Sequence, residues 1–148
     1  MFPCRKNKSK VCSVKKNDGN EFLRYFAPLV LWMGVIFVSS SIPEADFPSL
    51  SWGGWAKIVH LIFYSTLCFL TWRALHNQSR VDWLARHSAA AGFVVAVIYG
   101  SIDEFHQLFT AGRHPRVTDV LIDGFGACIF LLALQCYRVL KGLDSTAY

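Results

Sequence analysis

Long uncharged apolar runs alternate with short charged segments along this chain, and the lengths of the runs predict helices that cross a bilayer. Residues 25–42 carry no charge and end at Pro43. Residues 58–72 form a shorter run bracketed by Lys57 and Arg73, whose aliphatic stems let the helix extend to about residues 55–75. Residues 87–102 stop at the pair Asp103-Glu104. The last run, residues 124–137, is too short to span alone, so its helix must start near Thr118 and take Asp119 and Asp123 into its outer turns. The expectation is an all-α, four-span transmembrane helical bundle. A secretory signal peptide competes for the first run, because Val38-Ser39-Ser40-Ser41 offers small residues. That run, however, exceeds the apolar core of about 7–15 residues such peptides use.

Composition agrees with the pattern. The 148 residues are 53% hydrophobic and only 17% charged, with a mean hydropathy of +0.34. A soluble domain carries about 25% charged residues, so a water-coated globule and a largely disordered chain are both excluded. The expected organisation is a basic, disordered cytoplasmic tail over residues 1–22, a membrane domain over 23–142 and a short tail over 143–148.

Charge then orients the spans. Seven of the 15 Lys and Arg fall in the first 24 residues: Arg5, Lys6, Lys8, Lys10, Lys15, Lys16 and Arg24. Such a tail suits nucleic acid or anionic lipid, and ahead of an apolar run the lipid surface is the simpler reading. With Arg73, Arg80 and Arg86, and then Arg138 and Lys141, one side collects twelve Lys and Arg against Lys57, Arg113 and Arg116 on the other. Both termini are therefore expected in the cytoplasm, and residues 43–56 and 103–117 outside. The five cysteines (Cys4, Cys12, Cys68, Cys128, Cys136) have neither disulfide-framework nor zinc spacing and read as reduced. The tryptophans Trp32, Trp52, Trp55, Trp72 and Trp83 read mostly as an interfacial belt, and Gly34, Gly92, Gly100, Gly124 and Gly126 as points of close helix approach.

That topology gathers the unusual polar residues at one face. Lys57, His60 and Tyr64 form a stripe on the second helix, and Tyr99, Asp103 and Gln107 one on the third, with Glu104 and His106 beside them. Asp119, Asp123 and Gly126 follow on the fourth, after a turn imposed by Gly112 and Pro115. Carboxylates near hydrocarbon persist when paired or useful. In the plain structural reading Lys57 and Arg113 neutralise them, with His60, Tyr64 and Gln107 completing the hydrogen bonds. Asp103, Glu104, Asp119 and Asp123 against Lys57 and Arg113 leave a charge of −2, or −1 with Arg116. Such a pocket takes a phosphate only with protonated carboxylates or a bridging cation, and a divalent cation is a candidate cofactor, with His60 or His106 as added ligands. In the alternative, Arg113 and Arg116 reach lipid phosphates while the carboxylates hold them. No established catalytic signature is present.

The set Lys57-x2-His60-x3-Tyr64, then Tyr99-Gly100-x2-Asp103-Glu104-x-His106-Gln107-x5-Arg113-x5-Asp119-x3-Asp123-x2-Gly126, resembles the VanZ-like family over about residues 26–140. The pattern departs at position 123, Asp where the family carries Asn, and at Phe130, near which the family carries a glycine. The resemblance implies a small bacterial multi-span protein of the cytoplasmic membrane. Through the family's founding member it also implies a link to resistance against teicoplanin, a lipid-bearing glycopeptide.

Three functions are compatible with these residues. The first is a module that binds an envelope lipid or lipidated glycopeptide at the outer leaflet, through Lys57, His60, Tyr64, Tyr99, Asp103, Glu104, Gln107, Arg113, Asp119 and Asp123. The second is an intramembrane enzyme acting on a lipid head group, with Asp103, Glu104 or His60 as catalytic candidates and Arg113 stabilising negative charge. The third is a structural subunit whose polar cluster locks its helices. Membrane lipid or a lipidated ligand is the expected partner, and nucleic acid is not.

Overall fold

A computed structural model describes residues 18–43, 55–113 and 116–142. All regular structure there is helical: α1 (Asp18–Ser41), α2 (Trp55–Asn77), α3 (Asp82–Arg86), α4 (Ser88–Gln107) and α5 (Val117–Leu140). Among the described residues, the four long helices are each long and apolar enough to cross a membrane. A 23-residue helix such as α2 extends about 35 Å, enough for a hydrocarbon core of about 30 Å. The expected tail falls partly outside these residues, since α1 already begins at Asp18. Cys4, Cys12, Trp52, His114 and Pro115 lie outside the described residues.

Helix α4 runs past the expected stop at Asp103-Glu104 to Gln107. Both carboxylates turn inward and find donors, so they lie on the buried face of the helix instead of ending it. The short helix α3 was not legible in the apolar pattern. It follows a turn in which the Gln78 side-chain carbonyl accepts from the amides of Arg80 and Val81 at 2.8 and 2.9 Å. Its Trp83 is 63% exposed and stacks on His87, as suits the short connection between α2 and α4.

Helix α2 is central and packs against α1, α4 and α5; α4 also packs on α1 and α5, while α1 and α5 do not meet among the described residues. The core is small, centred on Ile36, Tyr64, Leu67, Cys68, Ala96 and Ala127, while Leu31, Leu121, Leu132 and many other apolar side chains stay exposed. That inside-out economy suits lipid as solvent, where close contact and hydrogen bonds, not hydrophobic burial, hold helices together.

Three glycines set the spacing. A Cβ on Gly126 would stand 2.5 Å from the Leu61 carbonyl oxygen, one on Gly92 3.0 Å from that of Cys68, and one on Gly100 2.6 Å from Asp123 Oδ2. Gly124 has only an ordinary contact with Val97, and Gly34 has open space around it, so the reading of Gly34 as an approach point is corrected. Trp32 also departs from the belt: midway along α1, it donates its indole N–H to the Phe63 carbonyl at 3.0 Å. Cys68, Cys128 and Cys136 are free thiols.

Candidate functional site

The C-terminal ends of α1 and α4 and the N-terminal ends of α2 and α5 meet at one end of the bundle. Here the polar side chains divide into two adjoining groups.

The first group lies among α2, α4 and α5. His60 Nδ1–H donates to Asp123 Oδ1 at 3.0 Å, with Asp123 fully buried and His60 17% exposed. Asp123 is wedged against the bare backbone of Gly100, and its Oδ2 has no hydrogen-bond partner among the described residues. Glu104 is 6% exposed. Its Oε2 accepts the Arg116 main-chain N–H at 2.8 Å, while Oε1 is buried without a partner among the described residues. Arg116 precedes α5, so the Glu104 carboxylate sits at the positive end of that helix, as does Asp119 in its first turn. One donor atom each from His60, Glu104 and Asp119 lie within 4.8 Å of one another. Tyr64, one turn further along α2, is buried and stacks on His60, its hydroxyl without a hydrogen-bond partner among the described residues.

The second group joins α1 to α4. Ser40 Oγ donates to Asp103 Oδ1 at 2.5 Å, and Gln107 Nε2 donates to Asp103 Oδ2 at 3.2 Å. Ser41 and His106 are hydrogen-bonded at 3.1 Å, and the His106 ring stacks on Phe37. Tyr99 donates to the Met33 carbonyl at 2.7 Å, which ties α4 to α1.

The two cations expected near the carboxylates, Lys57 and Arg113, lie at the edge of this end. Lys57 is exposed, one turn nearer the end of α2 than His60. Arg113 donates Nε to the Ile42 carbonyl at 3.1 Å and Nη2 to that of Ser39 at 3.2 Å, closing off carbonyls at the end of α1 that have no partner within the helix. Gly112, at φ +75°, takes the left-handed conformation that brings the chain back toward α1.

His60, Glu104, Asp119 and Asp123 are thus brought together, with Tyr64 behind them. Asp103 pairs with Ser40 of α1 and with Gln107 of its own helix, Tyr99 anchors α1, and Arg113 caps it. The sequence shows the α1 span but not its part in the site: Ser39, Ser40 and Ser41 supply a carbonyl and two hydroxyls to the polar end. The signal was present in three serines at the end of an apolar helix, aligned by topology with the Asp103 stripe.

The model of the VanZ/LLP1 family matches residues 25–138, which takes in all four long helices and both polar groups. The chain belongs to the VanZ/LLP1 family. It is a multi-pass membrane protein of that family, and every charged, histidine, tyrosine and glutamine position of the VanZ-like pattern falls inside the matched segment. No curated protein and no solved structure matches the chain.

Proposed function

We propose that this VanZ/LLP1-family protein engages the head group of an envelope lipid, or the polar part of a lipid-bearing glycopeptide, at the outer face of a bacterial cytoplasmic membrane. The observation that carries this reading is the meeting of half-buried His60 and Asp119 with buried Glu104 and Asp123 at one end of an otherwise lipid-facing bundle. Exposed Lys57 and Arg116 flank that group and supply positive charge for a phosphate. The Lys and Arg asymmetry supports placing this end outside and both termini in the cytoplasm. A contribution to teicoplanin resistance belongs to the same proposal, with the drug's acyl chain on the exposed apolar helix faces and its polar part at the rim.

The test is binding to the purified chain in nanodiscs, with phosphatidylglycerol and teicoplanin as probes. Lys57→Ala and Arg116→Ala should each weaken one of these probes several-fold. Unchanged binding of both probes in the double variant contradicts the proposal.

One observation favours an enzymatic version. Glu104, which has a carboxylate oxygen within 4.8 Å of a His60 nitrogen and a buried oxygen free of hydrogen bonds among the described residues, has the position of a general base awaiting a substrate proton. Asp103 is less suited, since both its oxygens already accept hydrogen bonds. Comparing lipid head-group species in cells expressing the native chain or Glu104→Gln separates the versions: an altered species supports catalysis, and identical profiles support binding alone.

A further inference from the structure

We propose that His60, Glu104 and Asp119 form a binding site for one divalent transition-metal ion, with Asp123 as the residue that positions His60. The three donors come from α2, α4 and α5, so each is aimed by a different helix. Their donor atoms lie within 4.8 Å of one another. Ligands at about 2.0–2.2 Å from a metal are themselves separated by about 3.4 Å in a tetrahedral site. Side-chain adjustments of an ångström or so close the difference.

Two features single out this group among the carboxylates of the polar end. Glu104 is 6% exposed, and its Oε1 has no hydrogen-bond partner among the described residues, although Oε2 is satisfied by the Arg116 amide. A buried carboxylate oxygen left unpaired is costly, and a bound cation removes that cost. Asp103, by contrast, has both oxygens occupied. The second feature is the His60–Asp123 contact. A neutral His60 that donates Nδ1–H to Asp123 Oδ1 keeps Nε2 as its free lone pair, the arrangement by which a carboxylate fixes the tautomer of a metal-bound imidazole. Donor chemistry selects the ion. Two carboxylates suit hard cations, and one imidazole shifts preference from Ca²⁺ and Mg²⁺ toward Mn²⁺, Co²⁺ or Zn²⁺.

A bound ion would let an acidic pocket accept the phosphate of a head group, a role that rests on the lipid reading above. The metal site itself rests on the ligand set alone and is tested without lipid. The full-length chain, purified in detergent and stripped with chelator, is titrated with Mn²⁺, chosen because the chain's cysteine thiols compete poorly for it. Binding is followed by electron paramagnetic resonance and by metal content after gel filtration. The expected result is about one Mn²⁺ per chain, weakened about tenfold or more in His60→Ala, Glu104→Gln and Asp119→Asn, and 10- to 100-fold in Asp123→Asn. Ser101→Ala, on the exposed face of α4, should bind as the native chain does. Co²⁺ should give absorption bands that His60→Ala removes or shifts.

Less than stoichiometric binding by the native chain, or Asp119→Asn and Glu104→Gln binding like it, overturns the proposal. Asp119 is half-buried in a first helical turn, so its variant carries the test if gel filtration shows another variant unfolded. Metal binding with no lipid or teicoplanin binding leaves the site standing and removes the lipid reading. Lipid binding by a chain that takes no metal does the reverse.

Discussion

Ser40 on α1 donates to Asp103 on α4 across 2.5 Å, and this bond joins the outermost helix to the polar end of the bundle. Asp103 is 5% exposed and its other oxygen is held by Gln107. Ser40→Ala would leave one buried carboxylate oxygen without its donor, at a cost of about 1–3 kcal/mol. The expected outcome is a lowered midpoint of thermal unfolding in detergent, while Ser101→Ala, whose hydroxyl only bonds back to the Val97 carbonyl, stays near the native value. Equal effects of the two variants would mean that the interhelical bond adds nothing.

Gly126 and Gly34 make a matched pair of opposite sign. At Gly126 a methyl group meets the Leu61 backbone, which has no flexible side chain to yield, so Gly126→Ala must push α2 from α5. Overpacking of this kind costs about 1–3 kcal/mol. At Gly34 a methyl group meets nothing within 4 Å, and Gly34→Ala should leave stability unchanged or raise it by up to about 1 kcal/mol, the helix preference of Ala over Gly. Thermal unfolding of both variants in one detergent checks the contrast.

Arg113 holds the end of α1 through the Ile42 and Ser39 carbonyls. Arg113→Ala should release the Ser39 and Ile42 carbonyls and fray the last turn of α1. Hydrogen exchange resolved by segment should show faster exchange over residues 39–42, with α5 unchanged. Acceleration confined to α5 would contradict the assignment.

Orientation is checked with single cysteines in a background where Cys4, Cys12, Cys68, Cys128 and Cys136 are replaced. Ala111→Cys lies in the exposed turn after α4, and Lys141→Cys just beyond α5. A membrane-impermeant maleimide added to intact cells should label position 111, while position 141 should react only after permeabilisation.

The four spans and the end at which chemistry collects were legible in the sequence because each depends on a local quantity: the length of an uncharged run, or the spacing of polar residues along one helix. The pairings within the site were not. Lys57 and Arg113 have the right charge to neutralise carboxylates, yet Lys57 lies at the exposed rim and Arg113 satisfies helix-end carbonyls. The part played by Ser40 and Ser41 depends on how α1 packs beside α4, and run lengths carry no information about that neighbour relation. The glycines show the same limit. Gly126 and Gly34 look alike in sequence, and only the position of Leu61 tells them apart.

The claim on which everything else depends is that side chains from separate helices form one coupled site at a single membrane rim. A double-mutant cycle on His60 and Asp123, read as thermal stability of the detergent-solubilised chain, tests it most directly. Contact at 3.0 Å between a buried and a half-buried partner predicts a coupling of about 0.5–3 kcal/mol between His60→Ala and Asp123→Ala. Effects that add to within about 0.5 kcal/mol would show that the two residues do not meet and would contradict the account.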